Sequence, residues 1–336
     1  MMPDVMGRAL RAGAVAAAVA GALVAAAMVG VPAAQAQPTY PSRPITMVVP
    51  LPAGGTADIL ARIAASELRD ALGQNVVVEN RPGGAGGLIG TESVFRAAPD
   101  GYTILCAPQL TFSIANKLNP KMTFDPGTME PVSVLAVYPS ILLVRPDLPV
   151  GNPTELIAFA KANPGKLNYG SQGMGQIGHL AMEQLRHMAK IDMVHVPFRG
   201  SAPAITALLA GQIDVLPDLL PATKAHIEAG KMKLIGTAGG TRLPAFPNVP
   251  AINEVLPGFE ADTWMGIVAP PGTPKEIVKK LSDAIGQRFK KPHVHARILA
   301  LDVEPRGTTP EEMRDLIRQS AERWGPLIQA AKITVE

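Results

Sequence analysis

The stretch that decides the fold is Val48-Val49-Pro50-Leu51-Pro52-Ala53-Gly54-Gly55-Thr56-Ala57-Asp58. An apolar run from Ile45 leads into it. Apolar residues at helical spacing follow it, namely Leu60, Ile63, Ala64 and Leu68. This pattern predicts a strand over 45–49, a break at the two prolines and two glycines, and a helix from Thr56.

A junction of this kind places the end of a strand at the start of a helix. The first turn of a helix has unpaired backbone N–H groups and the positive end of the helix dipole. Gly54 and Gly55 allow another molecule to approach the backbone closely. An anion such as a carboxylate therefore fits at this point. The alternative is an ordinary turn whose glycines serve only the backbone geometry.

Residues 1–36 have the pattern of an export signal. Arg8 and Arg11 precede an uncharged run over 12–31, and Ala34-Gln35-Ala36 matches a cleavage site. The apolar run is also long enough for an uncleaved membrane anchor, which is the less favoured alternative. We expect cleavage and an exported mature protein that starts near Gln37.

Composition excludes several classes of function. Lys and Arg number 31 against 28 Asp and Glu, with no long basic run, so nucleic-acid binding is not expected. The single cysteine, Cys106, cannot form an internal disulfide and lies in an apolar strand pattern. After the signal the length suits about two domains of ~150 residues, and strand and helix patterns alternate, which predicts an α/β fold with largely parallel sheets.

A second strand-to-helix junction contains Ser171, Gly173, Gly175, Gln176 and His179. With Gly178, its glycines spell the G-x-G-x-x-G pattern of dinucleotide sites. The acidic residue that such a site needs at the end of the next strand is missing, so a nucleotide is not expected. His179 opens the helix and has two possible roles, which are capping and ligand contact.

A third junction follows Val196-Pro197-Phe198 and contains Arg199, Gly200 and Ser201. Ser201 is predicted as the N-cap of the next helix. Arg199 is the only fixed cation in these loops. It could bind a carboxylate through two hydrogen bonds, or it could be a structural or solvent-exposed arginine without a ligand. The histidines do not cluster at metal-ligand spacing, and neither a metal nor a cofactor is expected.

The chain resembles a known family along nearly all of its predicted mature length. The motifs that carry this resemblance are Tyr40-Pro41-Ser42-Arg43-Pro44-Ile45, Gly54-Gly55-Thr56-Ala57-Asp58, Val78-Glu79-Asn80-Arg81-Pro82-Gly83-Gly84-Ala85-Gly86-Gly87, Pro99-Asp100-Gly101-Tyr102-Thr103, Asn168-Tyr169-Gly170-Ser171, Val196-Pro197-Phe198-Arg199-Gly200-Ser201-Ala202-Pro203-Ala204 and Ala269-Pro270-Pro271-Gly272-Thr273-Pro274. In this order they are similar to the periplasmic substrate-binding proteins of tripartite tricarboxylate transporters, also called Bordetella uptake gene (Bug) proteins.

The resemblance implies a two-lobe, type II periplasmic-binding-protein fold, the Venus flytrap, with a ligand cleft between two α/β lobes. Lobe I is expected over 38–139 plus 263–336, and lobe II over 140–262. The crossovers are expected near 138–142 and 262–266.

The resemblance also implies a function and a site. The expected function is capture of a small carboxylate for integral-membrane permease subunits, by a monomer that is not an enzyme. Three loops are expected to contact the ligand, through Ala53, Gly54, Gly55, Thr56, Asp58, Ser171, Gly173, Gly175, Gln176, His179, Arg199, Gly200, Ser201 and Asp218. The alternative from another class is an exported α/β hydrolase that uses Ser171 and His179, which lacks a third group to orient its base.

Overall fold

A computed structural model describes residues 40–84 and 87–335, and the predicted signal peptide over 1–36 lies outside the described residues. From Arg43 onward the chain forms one unit, to which all that follows refers. In that unit's described residues, no helix combines the length and apolar character that crossing a bilayer requires.

Two mixed β-sheets form the framework. In chain order the strands are β1 (Ile45–Val49), β2 (Val76–Asn80), β3 (Thr103–Pro108), β4 (Glu130–Tyr138), β5 (Ser140–Val144), β6 (Asn168–Ser171), β7 (Val194–Pro197), β8 (Val215–Leu219), β9 (Lys233–Thr237), β10 (Thr263–Ala269) and β11 (Glu304–Pro305). The first sheet has the order β11-β4-β10-β3-β1-β2, and the second has the order β7-β6-β8-β5-β9.

Helices connect and cover these strands. In chain order they are α1 (Thr56–Leu72), α2 (Leu88–Phe95), α3 (Gln109–Ser113), α4 (Ala115–Leu118), α5 (Pro153–Ala162), α6 (Ile177–Ala189), α7 (Ser201–Leu209), α8 (Leu220–Glu228), α9 (Lys275–Phe289), α10 (Pro292–Leu299) and α11 (Pro310–Ala330). The helix α11 has a local start signal, because Thr309 and Glu312 form a capping box around Pro310.

The predicted α/β class is confirmed, and the strand directions show where parallel pairing is confined. β1 pairs in parallel with β2 and β3, and β6 with β7 and β8. β10 is antiparallel to β3 and β4, and β5 is antiparallel to β8 and β9. The antiparallel strands are those next to the points where the chain passes from one sheet to the other, so the sheets are mixed rather than largely parallel.

The chain passes between the sheets twice. Pro139 alone separates β4 from β5, so the apolar stretch over 132–144 is divided between two strands in two different sheets. Asp262 lies directly before β10, which returns the chain to the first sheet. The C-terminal helix α11 also joins the two halves, because Trp324 and Ile328 pack in one apolar cluster with Leu180 and Leu185 of α6.

The strand order reverses between β1 and β3 in the first sheet, and between β6 and β8 in the second. In open α/β sheets the crevice at such a reversal, outside the carboxyl ends of the strands, is where ligands bind. The loop after β1 and the loop after β6 leave from these positions. The fold therefore places two of the predicted glycine-rich loops at the crevices of their sheets.

Asp262, at the second passage between the sheets, is a partly buried carboxyl group in an unfavourable environment. Its Oδ1 atom is enclosed and has no hydrogen-bond partner in the described part of the chain. Burial raises its pKa to about 6, and Glu260 and Glu304 act in the same direction, whereas the Ser140 N–H and Arg323 oppose the shift. Ionised Asp262 therefore destabilises the folded protein.

We expect Asp262→Asn to raise the free energy of unfolding at pH 7–8 by up to about 3 kcal/mol. The folded pKa lies above the unfolded value, so this cost is absent below pH 3.8 and grows as the pH rises through about 6. Chemical denaturation of both proteins from pH 4.5 to 8 measures the difference. Asp283→Asn, at an exposed site on α9, is the control. A difference between Asp262→Asn and wild type that does not depend on pH would contradict a destabilising charge at Asp262.

Candidate functional site

The loop between β1 and α1 is held by Asp58, which lies in the first turn of the helix. The carboxylate is 4% exposed and accepts hydrogen bonds from Gly54 N, Arg62 Nε and Asn80 Nδ2, each at 3.0 Å. Burial alone would raise its pKa, but the bonds from Arg62, Gly54 and Asn80 outweigh burial and lower it. Asp58 therefore stays ionised and fixes the loop from beneath.

This arrangement changes which donors are available at the first junction. Gly54 N–H, predicted as a ligand donor, is already paired with Asp58. The N–H groups of Gly55, Thr56 and Ala57 have no hydrogen-bond partner among the described residues. Ala53, Gly54 and Gly55 are exposed and Thr56 is partly buried. The helix thus begins with open backbone donors at an accessible position.

The loop between β6 and α6 is held in a similar way by His179. Gly175 N–H donates to His179 Nδ1 at 3.1 Å, so the capping alternative describes the hydrogen bond that this side chain makes. In each loop a glycine with positive φ, +90° at Gly54 and +72° at Gly175, donates to the side chain four residues later. The two halves of the fold use the same local device.

Ser171 and Gly173 are bonded to each other and to a histidine that the sequence did not single out. Ser171 Oγ lies 2.7 Å from His195 Nε2 and accepts from Gly173 N at 3.2 Å. The His195 ring stacks on His179, with centroids 4.1 Å apart, and on Tyr169, with centroids 4.8 Å apart. The predicted donors Gly173 and Gly175 are therefore satisfied within the loop, and a ligand would use other groups.

The contact between Ser171 and His195 does not form a catalytic pair. Ser171 is fully buried. Burial, together with the neighbouring His179, lowers the pKa of His195 to about 4. No carboxylate among the described residues accepts a hydrogen bond from His195, and the histidine named in the hydrolase alternative, His179, is engaged elsewhere. Over the same residues, no group of three or more His, Cys, Asp or Glu is placed to hold a metal ion.

The third junction differs from its prediction. The N-cap of α7 is Gly200, with φ of +108°, and Ser201 is the first helical residue, so the prediction of Ser201 as N-cap is wrong. The Ser201 hydroxyl instead donates to Asp218 Oδ2, and Leu219 N donates to Asp218 Oδ1 at 2.7 Å. Asp218 is 2% exposed and burial raises its pKa, against the effect of these bonds.

Arg199 is exposed, with no hydrogen bond or ion pair to any described residue. Its loop is joined to the second one, because Gly200 N donates to Gln172 O at 3.1 Å and Phe198 N donates to Ser171 O at 3.0 Å. The second and third loops therefore form one continuous surface in the half of the chain that holds the second sheet.

A cavity of about 70 Å³ lies between the carboxyl-end loops of the two sheets. Its walls are Leu51, Leu88, Pro108, Leu110, Thr111, Ala115, Leu118, Asn119, Met174, Gly175, Gln176 and Val335. Of the predicted site residues, Gly175 and Gln176 line it, and Leu51 brings in the loop after β1. The other predicted residues do not line this cavity. They lie in the three loops described above, in the first turns of the helices that follow these loops, and, for Asp218, in β8.

Most of the cavity wall has no signature in the sequence. Leu110 and Thr111 follow β3, the neighbour of β1 at the reversal of strand order. This position in the sheet is the feature that could have identified them as lining residues. Val335 comes from the far end of the described chain, where its N–H donates to Leu118 O at 2.9 Å. No local sequence pattern announces such a contact.

The fold and the paired loops at one cleft define a class, the two-lobe periplasmic binding proteins. The chain belongs to the TctC family, described as the tripartite tricarboxylate transporter family receptor, with a match over residues 60–333. It is 35% identical over 311 residues to protein BugT of Bordetella pertussis, covering 91% of this chain and 94% of that one.

Solved structures of similar proteins agree. The protein Rpa4515 of R. palustris, solved with adipate, has a TM-score of 0.79 at 34% identity, covering 88% of this chain and 99% of that one. MatC of Rhodopseudomonas palustris, solved with bound malate, has a TM-score of 0.75 at 33% identity, covering 86% of this chain and 100% of that one.

Family membership confirms the predicted resemblance, fold class and function class. The protein is a periplasmic solute-binding protein that belongs to the tripartite tricarboxylate transporter receptor family, and it is not an enzyme. The comparisons give no support to the alternative of an exported hydrolase acting through Ser171 and His179.

We expect Asp58→Ala to lower the free energy of unfolding by about 1–3 kcal/mol at pH 7, because Gly54 N–H, Arg62 and Asn80 lose a shared buried acceptor. The folded pKa is depressed, so this contribution is present above pH 3.8 and is lost as the pH falls further. Chemical denaturation measures it.

Asp70→Ala is the matched control for this change. Asp70 is an exposed carboxylate on the same helix and should cost less than about 0.5 kcal/mol. Equal effects of the two substitutions would contradict the role of Asp58 in holding the loop.

Proposed function

We propose that the protein captures a small carboxylate in the cleft between its two sheets and delivers it to a membrane permease of a tripartite tricarboxylate-type transporter. The observation that carries this proposal is the open start of α1. The N–H groups of Gly55, Thr56 and Ala57 lack partners in the described residues and lie at the carboxyl end of β1.

Electrostatics favours an anion at this position over a neutral ligand. Each interaction of a charge with a helix end is worth about 0.3–1 kcal/mol when exposed, and more when it is partly buried. A second helix, α6, begins behind the loop that lines the other side of the cavity. Two helix starts that converge on one cleft would together hold a carboxylate more firmly than either would alone.

The proposed ligand class is also supported by relatives. One similar protein was solved with adipate and another with malate, both dicarboxylates. Arg199, which has no partner in the described residues, is a candidate for a second carboxylate. Asp218 is a candidate for recognising a hydroxyl or ammonium group at the distal end of the ligand. Both of its oxygens already accept hydrogen bonds from the protein, so it would act on the ligand through Ser201.

We assign lobe I to residues 38–139 plus 263–336 and lobe II to residues 140–262. The membership of the strands in the two sheets supports these bounds, because the chain changes sheet at Pro139 and again after Asp262. Rotation about these two connections would open and close the cleft, as in other two-lobe binding proteins.

Export through the signal over 1–36, action as a monomer and docking to integral-membrane permease subunits complete the proposal. The export signal is supported by Arg8, Arg11 and the cleavage pattern at 34–36. The permease partner is supported by membership of a transporter receptor family.

We expect Gly55→Val to abolish measurable binding of the acids that the wild type binds, while the protein remains folded. A Cβ atom at Gly55 meets nothing within 4 Å, and φ of −78° and ψ of 167° suit any residue. The protein therefore has room for the added side chain, and we expect that side chain to obstruct the approach of an anion to the neighbouring open N–H groups. Calorimetric titration with malate and adipate, and a thermal-shift screen of other carboxylates, measure binding.

Gly151→Val is the matched control. Gly55 is the N-cap of α1, and Gly151 lies directly before the N-cap of α5, also in an exposed loop. A Cβ atom at Gly151 would make an ordinary 3.5 Å contact with Glu155. Gly151 follows β5, which runs antiparallel to β8, so the carboxyl end of β5 lies opposite to the carboxyl ends of β6 and β8 where the cavity is. Wild-type affinity in folded Gly55→Val, or equal losses in both variants, would reject the anion site.

A further inference from the structure

One buried histidine in the second half of the fold is connected to the wall of the cavity. His179 is 3% exposed and does not line the cavity itself. Its Nδ1 accepts the Gly175 N–H at 3.1 Å, and Gly175 is a cavity-lining residue. This hydrogen bond connects the imidazole directly to the cavity wall.

The hydrogen bond fixes the protonation state of the ring. An N–H group can donate only to an unprotonated nitrogen, so Nδ1 carries no hydrogen and the imidazole is neutral with its proton on Nε2. Nε2 points towards Glu183 Oε1, 3.9 Å away. Protonation of Nδ1 would place two donors against each other and break the bond to Gly175.

The surroundings keep the ring in this state. Burial lowers the pKa of His179, Glu183 opposes the shift and Arg186 adds to it. From β7, His195 stacks on one face of the ring, and Tyr169 of β6 stacks on His195. Tyr169 and Arg186 both bond to Glu183 Oε1 at 2.6 Å, so the acidic neighbour is shared among several partners.

Gly175 has little freedom to move independently. Its φ of +72° lies in the left-handed region, and a Cβ atom there would come within 2.8 Å of Leu118 Cδ1, on the other side of the cavity. The loop therefore packs closely against the half that holds the first sheet. A change of a few tenths of an ångström at Gly175 would alter this contact.

We propose that His179 is a positioning residue for ligand binding, which sets the cavity-lining loop through the Gly175 N–H and makes ligand affinity depend on pH. The inference rests on the proposed function of the cleft, and it differs from the sequence prediction that His179 contacts the ligand. The corresponding acceptor in the other half, Asp58, is ionised and holds its glycine without such a pH dependence near neutrality.

Two substitutions of His179 test the contribution of its acceptor atom separately from that of its aromatic ring. His179→Phe keeps an aromatic ring that can stack on His195 but has no acceptor. His179→Asn loses the ring but offers Oδ1 close to the position of Nδ1. His187→Phe, at an exposed histidine on the same helix, is the control for a histidine-to-phenylalanine change in α6.

Calorimetric titration of malate and adipate at pH 7.5 measures affinity, and hydrogen exchange of the peptide over 172–178 measures protection of the loop. For His179→Phe we expect an affinity at least about tenfold weaker and a loss of exchange protection at this loop. For His179→Asn we expect affinity within about threefold of wild type and retained protection. His187→Phe should match wild type in both.

The pH profile supplies a readout that a merely structural role would not move. Because binding needs neutral His179, wild-type affinity should fall faster than that of His179→Asn as the pH decreases below 6.5. Titration of the ligand carboxylates affects both proteins alike, so the difference reports on His179 together with the pKa of His195, which the stacked His179 ring lowers.

Three results would overturn the inference. Equal affinity and exchange in folded His179→Phe and wild type would remove the role of the acceptor. Parallel pH profiles of wild type and His179→Asn would remove the pH dependence. Failure of wild type to bind any acid of the panel would overturn the proposed function, and the role of His179 with it. This result differs from the first two because wild type itself then shows no binding.

Discussion

The structure depends on how two loop glycines are held at the starts of helices. Gly54 and Gly175 adopt positive φ, and each donates its N–H to the side chain four residues later, Asp58 or His179. Without such an acceptor, the glycine N–H would lose the hydrogen bond that fixes each loop beside the cleft. With it, the following helix starts at a fixed point, and its own open N–H groups have a defined direction.

This constraint gives the two halves different chemistry. Asp58 is paired with Arg62 and Asn80, and its lowered pKa keeps it ionised across the physiological range. His179 is neutral and surrounded by His195, Glu183 and Arg186. The first half thus provides a support for the proposed anion site that does not depend on pH near neutrality, and the proposed role of His179 gives the second half a support that protonation can release. A receptor that must bind and then release its ligand gains from having one side of the cleft adjustable.

The sequence predicted those parts of the fold that have local signals. The helix Pro310–Ala330 has proline and a capping box at its start, and Thr56–Leu72 ends at a glycine with φ of +70°. The short helices over 109–118 were missed, because they are too brief for helical periodicity and bury polar residues such as Gln109 and Ser113. The break at Pro139 has no local signal of a change of sheet, since the runs 134–137 and 141–144 on its two sides are equally apolar.

The sequence identified the loops that contain the candidate site residues, but it did not predict the hydrogen bonds and ring contacts between them. Ser201 could not be distinguished from an N-cap, because its partner Asp218 lies in β8, which is distant from it in the sequence. His195 has no local signal, because its contacts with Ser171, Tyr169 and His179 all come from other elements of the fold. Val335 and Leu118 meet at the cavity from elements far apart in the chain. Such tertiary pairings follow from the topology of the sheets, which a single sequence does not specify residue by residue.

The central claim is that a ligand carboxylate is held where the starts of α1 and α6 face one cleft. The most direct test is a crystal structure of the purified protein grown with malate or adipate, or with whichever acid gives the largest thermal shift. The account predicts a carboxylate group within hydrogen-bond distance of the Gly55 and Thr56 N–H groups, enclosed on the other side by the loop that contains Gly175. A ligand bound away from the carboxyl ends of β1 and β6, with those N–H groups left to solvent, would contradict it.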